Sequence, residues 1–142
     1  VNDKTLNLLK HQEGFRSHPY RDTRGILTIG YGTNIDQGVS EPEAQLLLQS
    51  RVQSTETALY TEGWYQTLSD VRKAAILSMA YQLGMNGFSK FKATIAALEK
   101  GDFATAAYQM MSSLWARQTP DRAQEVSDMV KDDRWPDWML DE

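Results

Sequence analysis

Glu13 to Thr33, EGFRSHPYRDTRGILTIGYGT, is the stretch on which the fold turns. Gly14 is the residue type favoured just past a helix end, and Leu6, Leu8, Leu9 and Lys10 ahead of it fit a short amphipathic helix. Glu13 then falls in that helix's last turn. From Pro19 to Ile35 the pattern changes to turn residues and β-formers, with DTRG as a turn and ILTIGYGT as a strand pair or bulged hairpin. Such a segment makes a small sheet, not a domain of its own.

Downstream, helical signals take over. Ser40 with Glu43 forms a capping box, and Leu46, Leu47, Leu48 and Val52 begin a helix that runs to about Tyr60. Thr61 to Leu68 reads as a connection. Ser69 caps DVRKAAILSMAYQL, whose apolar character from Ala74 to Leu83 predicts a helix buried on most sides and stopped by Gly84. Phe88, Phe91, Ile95 and Leu98 keep three- and four-residue spacing before Gly101, and Phe103, Ala107, Met110 and Met111 repeat it. Thr119 before Pro120 starts a last helix, DRAQEVSDMVKD. The expected architecture is α+β and mainly helical: a small N-terminal lobe with a short antiparallel sheet, a linking helix and an all-helical C-terminal lobe.

Composition excludes several classes. The 142 residues, 41% hydrophobic and 24% charged, suit one globular domain, with a first lobe expected at about 12–60 and a second at about 61–142 that also takes up helix 1–11. No apolar run approaches the ~18 to 20 residues needed to span a bilayer, so stable membrane insertion is not expected. VNDKTLNLLK has neither a cationic start before an apolar stretch nor a small-residue cleavage site, so it predicts no signal peptide. The absence of cysteine removes disulfides, thiolate nucleophiles and cysteine-ligated metals. A net charge of −4 argues against nucleic acid as a partner, where a basic face supplies most of the affinity.

The chemistry concentrates in the opening stretch. A carboxyl at a helix C-terminus feels the negative end of the dipole, and partial burial of Glu13 would add desolvation; both raise its pKa and favour a proton donor. Asp22, flanked by Arg21 and Arg24 in a polar turn, is expected to stay ionised. Two carboxyls with opposed environments are what glycosidic cleavage requires, because the leaving oxygen takes a proton while the oxocarbenium-like centre meets a nucleophile. Taken alone, either residue is ordinary surface charge. On a returning strand, the Thr28 hydroxyl is within reach of a water held by Asp22, although β-propensity alone also explains a threonine there. Tyr31 and Tyr81 are the better candidates for stacking on sugar rings; other aromatics at helical spacing read as core.

Competing sites fall away. His11-x-Glu13 lacks the cysteine pair of a zinc deaminase, and His11 with His18 lacks the i, i+4 spacing of a helical zinc site. Ser17, His18 and Asp22 are too local for a triad, and Ile35 stands where a dinucleotide loop starting at Gly30 needs its third glycine. That glycine pair is better read as a hairpin with close backbone approach.

Glu13, eight residues, Asp22, five residues, then Thr28 opening TIGYG, resembles the phage-type lysozymes of glycoside hydrolase family 24. The resemblance continues through DVRKAAILSMAYQLGMNGFSKF and SLWARQTPDRA. It implies hydrolysis of the β-1,4 bond between N-acetylmuramic acid and N-acetylglucosamine in peptidoglycan, in a cleft between the lobes, with no metal or organic cofactor. It gives Glu13 the place of the general acid, Asp22 that of the second carboxylate, and Thr28 that of the hydroxyl that helps place the attacking water. An inverting mechanism of this kind needs the carboxyls ~6.5 to 9.5 Å apart, against ~5 to 5.5 Å for direct attack. Arg122 matches an arginine packed near the acid, whose charge opposes the upward push on Glu13. Tyr81 and Gln82 match sugar-contacting positions, and Asn34, Thr94 and Gln109 match further contact positions.

Three departures accompany the resemblance. Thr33 stands where the family usually has a histidine, the segment from Asn34 to Ser40 is shorter than in its phage counterpart, and the acidic balance differs from many basic relatives. The expected role is an endolysin acting as a monomer, held in the host cytoplasm until a separate, holin-like membrane lesion releases it to the wall. A virion-associated hydrolase, a lytic transglycosylase and a peptidoglycan-binding module without activity are the alternatives.

Overall fold

Asn2 starts the first helix by accepting the amide of Thr5 on its side chain at 2.9 Å. In the computed structural model, which describes residues 1–140, helix α1 spans Asp3–Glu13 and ends where Gly14, at φ 73°, returns its amide to the Lys10 carbonyl at 2.9 Å. Strands β1 (Arg16–Arg21), β2 (Leu27–Gly30) and β3 (Thr33–Asn34) follow as an antiparallel sheet in that order. The first strand begins three residues before Pro19, earlier than the sequence suggests. Proline is tolerated there because β1 is an edge strand and its pairing with β2 shifts register between Arg16 and Tyr20.

Helix α2 (Glu41–Leu59) opens with the expected capping box. The Ser40 hydroxyl accepts the Glu43 amide at 3.3 Å, and the Glu43 carboxylate accepts the Ser40 amide at 3.0 Å. The segment read as a bare connection contains a one-turn helix, α3 (Gly63–Gln66), which carries the fully buried Tyr65. Helix α4 (Asp70–Phe88) starts at the Ser69 cap, and its regular course breaks at Gly84, at φ 74° and ψ 157°. Then come α5 (Lys92–Glu99), α6 (Phe103–Met111), the short α7 (Leu114–Gln118) and α8 (Pro120–Asp132), with proline in the first turn, and a 3-10 turn at Asp137–Met139. Among the described residues the molecule is thus eight α-helices with one small sheet near the N-terminus.

The backbone divides into two units, Val1–Leu47 and the chain from Leu48 onwards. In the N-terminal unit Thr28 is the one buried residue. The leucines of α1 do not form the buried stripe of an amphipathic helix: Leu6 is 45% and Leu9 46% exposed. Helix caps and the hydrogen bonds of turn and sheet hold this unit rather than a core, as suits a piece of chain this short.

The C-terminal unit has the core. Ile76 and Met79 of α4, Met110 of α6 and Val130 of α8 are fully buried together with Ala75, Ala106 and Ala123. Helix α8 packs against α4, α6 and α7. Arg72 fastens its end: Nε donates to the Val130 carbonyl at 2.7 Å, Nη2 to that of Lys131 at 3.3 Å, and the guanidinium lies 3.6 Å from the Phe103 ring centre. Asp133, in the left-handed conformation that ends α8, accepts from the Ser69 hydroxyl and pairs with Arg72 at 3.6 Å.

Candidate active site

In the N-terminal unit, Glu13 is the last residue of α1, and the chain reverses at Gly14 to enter the sheet. Its side chain is exposed, so the burial expected from the sequence is not found. What crowds it is Gly32. A β-carbon added to Gly32 would run into the Glu13 carboxylate, with Cδ at 2.8 Å, and Gly32 also adopts φ 71°. The close backbone approach read into the Gly30-Tyr31-Gly32 stretch is therefore an approach to the candidate acid. Tyr31 leans the other way: its ring centre lies 5.6 Å from that of Phe15, and Lys10 Nζ sits 5.7 Å from it.

Asp22 is held by the turn it starts. Its Oδ1 accepts the amides of Arg24 at 2.8 Å and Ile26 at 2.9 Å, while Oδ2 has no hydrogen bond among the described residues. The Ile26 amide is the main reason its pKa lies below the ordinary carboxylate value; partial burial opposes this, and the amide and charge of Arg24 add to it. The expectation that both flanking arginines keep Asp22 ionised is thus half right. Arg21 is turned to the Gly25 carbonyl at 3.0 Å and to Asp36 at 3.9 Å.

Thr28 is 4% exposed on β2, opposite Tyr20 on one side and Asn34 on the other. Its hydroxyl donates to the Ile26 carbonyl at 2.8 Å. That commits its proton, so only the oxygen's lone pairs are left for a water. Asn34 is half-buried, and its side-chain oxygen caps the next turn by accepting the Asp36 amide at 2.9 Å.

The C-terminal unit gathers three of the residues singled out by resemblance. Tyr81, Gln82 and Arg122 line one pocket of about 620 Å³ with Arg51, Ser54 and Thr55. Gln82 is oriented from behind: the indole of the buried Trp115 donates to its Oε1 at 2.8 Å, so the amide nitrogen is the atom left free. Arg122 is anchored by Nη2, which donates to the carbonyl and hydroxyl of Ser78 at 2.9 and 3.1 Å. Thr94 is 1% exposed, packed inside the unit rather than on its surface, and Gln109 is half-buried on α6. Arg51, Ser54 and Thr55, all on α2, were not singled out in the sequence.

Comparison with known proteins places the chain in a family. Residues 10–131 match the family model described as Phage lysozyme. A probable T4-type lysozyme 1 of Dictyostelium discoideum is 28% identical over 88% of this chain and 92% of its own length. The endolysin of Acyrthosiphon pisum secondary endosymbiont phage 1 is 27% identical over 82% of this chain and 80% of its own. The pre-baseplate central spike protein Gp5 of Enterobacteria phage T4 is 24% identical over 91% of this chain, which spans 28% of that longer protein.

The family match and the lysozyme and endolysin relatives make this a glycosidase, a cell-wall hydrolase of the lysozyme type. The chain belongs to the phage lysozyme family.

Proposed function

We propose that this protein is a muramidase that hydrolyses the β-1,4 bond between N-acetylmuramic acid and N-acetylglucosamine in peptidoglycan and lyses a bacterial host. The observation that carries the reading is the opposed setting of two carboxyls in the N-terminal unit: Glu13 at a helix end beside a glycine, and Asp22 fixed by two amides on one oxygen with the other open. Glu13 donates its proton to the glycosidic oxygen as that bond breaks. Asp22 Oδ2 and the Thr28 oxygen orient a water, and Asp22 takes its proton as the new bond forms at the anomeric carbon. The reaction needs no metal or organic cofactor.

The test is turbidity loss of permeabilised Gram-negative cells with wild type and Glu13→Gln, together with mass spectrometry of the released muropeptides. Loss of at least about a hundredfold in rate is expected if the acid is removed. Equal rates would sink the assignment of Glu13, and 1,6-anhydro ends in place of reducing ends would turn the enzyme into a lytic transglycosylase.

In the lytic role the protein works as a monomer, stays in the host cytoplasm and depends on a separate holin-like lesion to reach the wall. The similarity to a phage spike protein supports a second reading, a virion-associated hydrolase that opens a local hole. Detection of the chain in purified virions by mass spectrometry favours that role.

A further inference from the structure

The outer face of α8 carries a second pocket of the C-terminal unit, of about 500 Å³, within the range of ligand sites. Asp121, Glu125, Asp128 and Asp132 recur along it every three or four residues, all exposed, on the side away from the buried Ala123, Val126 and Val130. The far wall is the chain after α8, where Trp135 packs against the core and Trp138 is 60% exposed. The Trp138 indole donates to Glu125 Oε2 at 2.9 Å, which fixes the ring edge and leaves its face to solvent.

Five carboxylates line this pocket against one guanidinium, in a chain whose whole net charge is −4. That guanidinium, on Arg134, is held by Asp137 of its own segment at 3.0 Å. Among the described residues the four acids of α8 pair with no cation. They also oppose the helix that carries them. Like charges three and four residues apart repel, and Asp128 and Asp132 lie toward the C-terminus, where the helix dipole disfavours negative charge. A positively charged occupant relieves both effects.

The dimensions narrow the occupant. From Asp121 to Asp132 the helix rises about 16 Å, the length of about five residues of extended chain. The acids recur at about 4.5 to 6 Å of rise, and alternate side chains of an extended chain at about 6.6 Å. A single small cation meets one or two of these charges, whereas an extended basic peptide meets the whole row. The indole selects further, because a guanidinium stacks on an aromatic face while its fork holds a carboxylate. Trp138 and Glu125 offer that face and that carboxylate side by side.

We propose that this face of α8 is a docking surface for an extended, arginine-bearing segment of a partner polypeptide. It uses none of the residues given to hydrolysis, and its test needs no turnover.

The experiment titrates the intact protein into a fluorescent peptide of about seven residues, arginine alternating with glycine, and follows anisotropy at low and at moderate salt. The same peptide with lysine, and spermine as a competitor, are the comparison probes. Saturable one-to-one binding is expected, tighter for arginine than for lysine. Glu125→Gln with Asp128→Asn, in which the glutamine keeps an acceptor for the Trp138 indole, should weaken it by roughly three- to thirtyfold. Glu62→Gln with Glu99→Gln removes the same charge from other exposed positions of the unit and should leave binding within about twofold. Trp138→Leu should cost the arginine peptide about two- to fivefold and erase its advantage over lysine. Without peptide, the Glu125 and Asp128 variant should melt higher than the wild type because repulsion along α8 is removed, which separates lost binding from lost folding.

The proposal is overturned if both pairs of charge changes weaken binding equally, if the lysine peptide or spermine binds as tightly as the arginine peptide, or if Trp138→Leu changes nothing. Self-association of the chain that the Glu125 and Asp128 changes abolish overturns it as well, by giving the face to a second copy.

Discussion

Asp22 and Thr28 are joined through one residue that is not itself chemical. Asp22 accepts the amide of Ile26, and Thr28 donates its hydroxyl to the carbonyl of the same residue, which also receives the Asp22 amide at 3.0 Å. Thr28→Val should therefore leave the turn standing, since the Ile26 carbonyl keeps its other partner, and cost about 1 kcal/mol. If Thr28 helps hold the water, the rate of turbidity loss should fall by more than about tenfold, far beyond what that stability change explains. A urea titration beside the rate assay separates the two.

Substitution of Gly32 is expected to cost rate, though less than loss of a carboxyl. Gly32→Ala places a methyl group against the Glu13 carboxylate at a backbone angle that costs an L-residue about 1 kcal/mol. The expected outcome is a drop in kcat of at least about tenfold, because displaced catalytic groups lose rate steeply with small shifts. Gly30→Ala, where nothing crowds the added methyl, is the matched control for backbone strain alone.

Acid should weaken the fold through three capping carboxylates. Asp22, Glu43 and Asp102 all have lowered native pKa values. The chief causes are the Ile26 amide for Asp22, the Ser40 amide for Glu43 and the Thr105 hydroxyl for Asp102. A lowered native value means that the unfolded chain takes up protons first. The stabilisation is whole above the ordinary carboxylate values of 3.8 and 4.5 and is lost as pH falls through the lowered ones. Urea midpoints measured from pH 6 downward should decline in that window, and Glu43→Gln should flatten part of the decline.

At the alkaline end the sign reverses. The Tyr65 hydroxyl is pushed up to about 12 by burial, with Glu56 and Tyr60 adding to it. Here the native state holds its proton longer than the unfolded chain, so stability is whole below about 10 and is lost between about 10 and 12. Tyrosinate absorbance followed with circular dichroism should show one late titration coupled to unfolding. Tyr65→Phe should remove that coupling.

Arg72 should be the costliest charged side chain to remove from the C-terminal unit. Arg72→Ala strips two carbonyls of α8 and Asp133 of their partner, with an expected loss of about 2 to 4 kcal/mol by urea denaturation. Arg72→Lys should recover little, because an ammonium does not reproduce the fork or the stacking on Phe103.

What could be read from the sequence was local. Gly14, the Ser40–Glu43 box, Ser69 and Pro120 each announce a helix boundary within a few residues, and each boundary stands where expected. Helices α3 and α7 are too short to show a period, and Pro19 hid the early start of β1. Of the candidate site, the setting of Asp22 was legible because its partners, Arg24 and Ile26, are chain neighbours, whereas Glu13 meets Gly32 from across the hairpin and is not buried as expected. The orientation of Gln82 depends on a tryptophan 33 residues away, and its pocket takes its lining from α2, α4 and α8. Neither leaves a trace in spacing.

The position of α8 sets an order of events during synthesis. A chain made from its N-terminus exposes α4 and α6 before the helix that packs against both exists, and Ser69 and Arg72 wait for partners near residues 130 to 133. The core of the C-terminal unit, and with it the pocket that needs Arg122, closes only when α8 has left the ribosome. A chain cut short before α8 thus carries the carboxyls of the N-terminal unit without Arg122 and the wall of the pocket that it supplies.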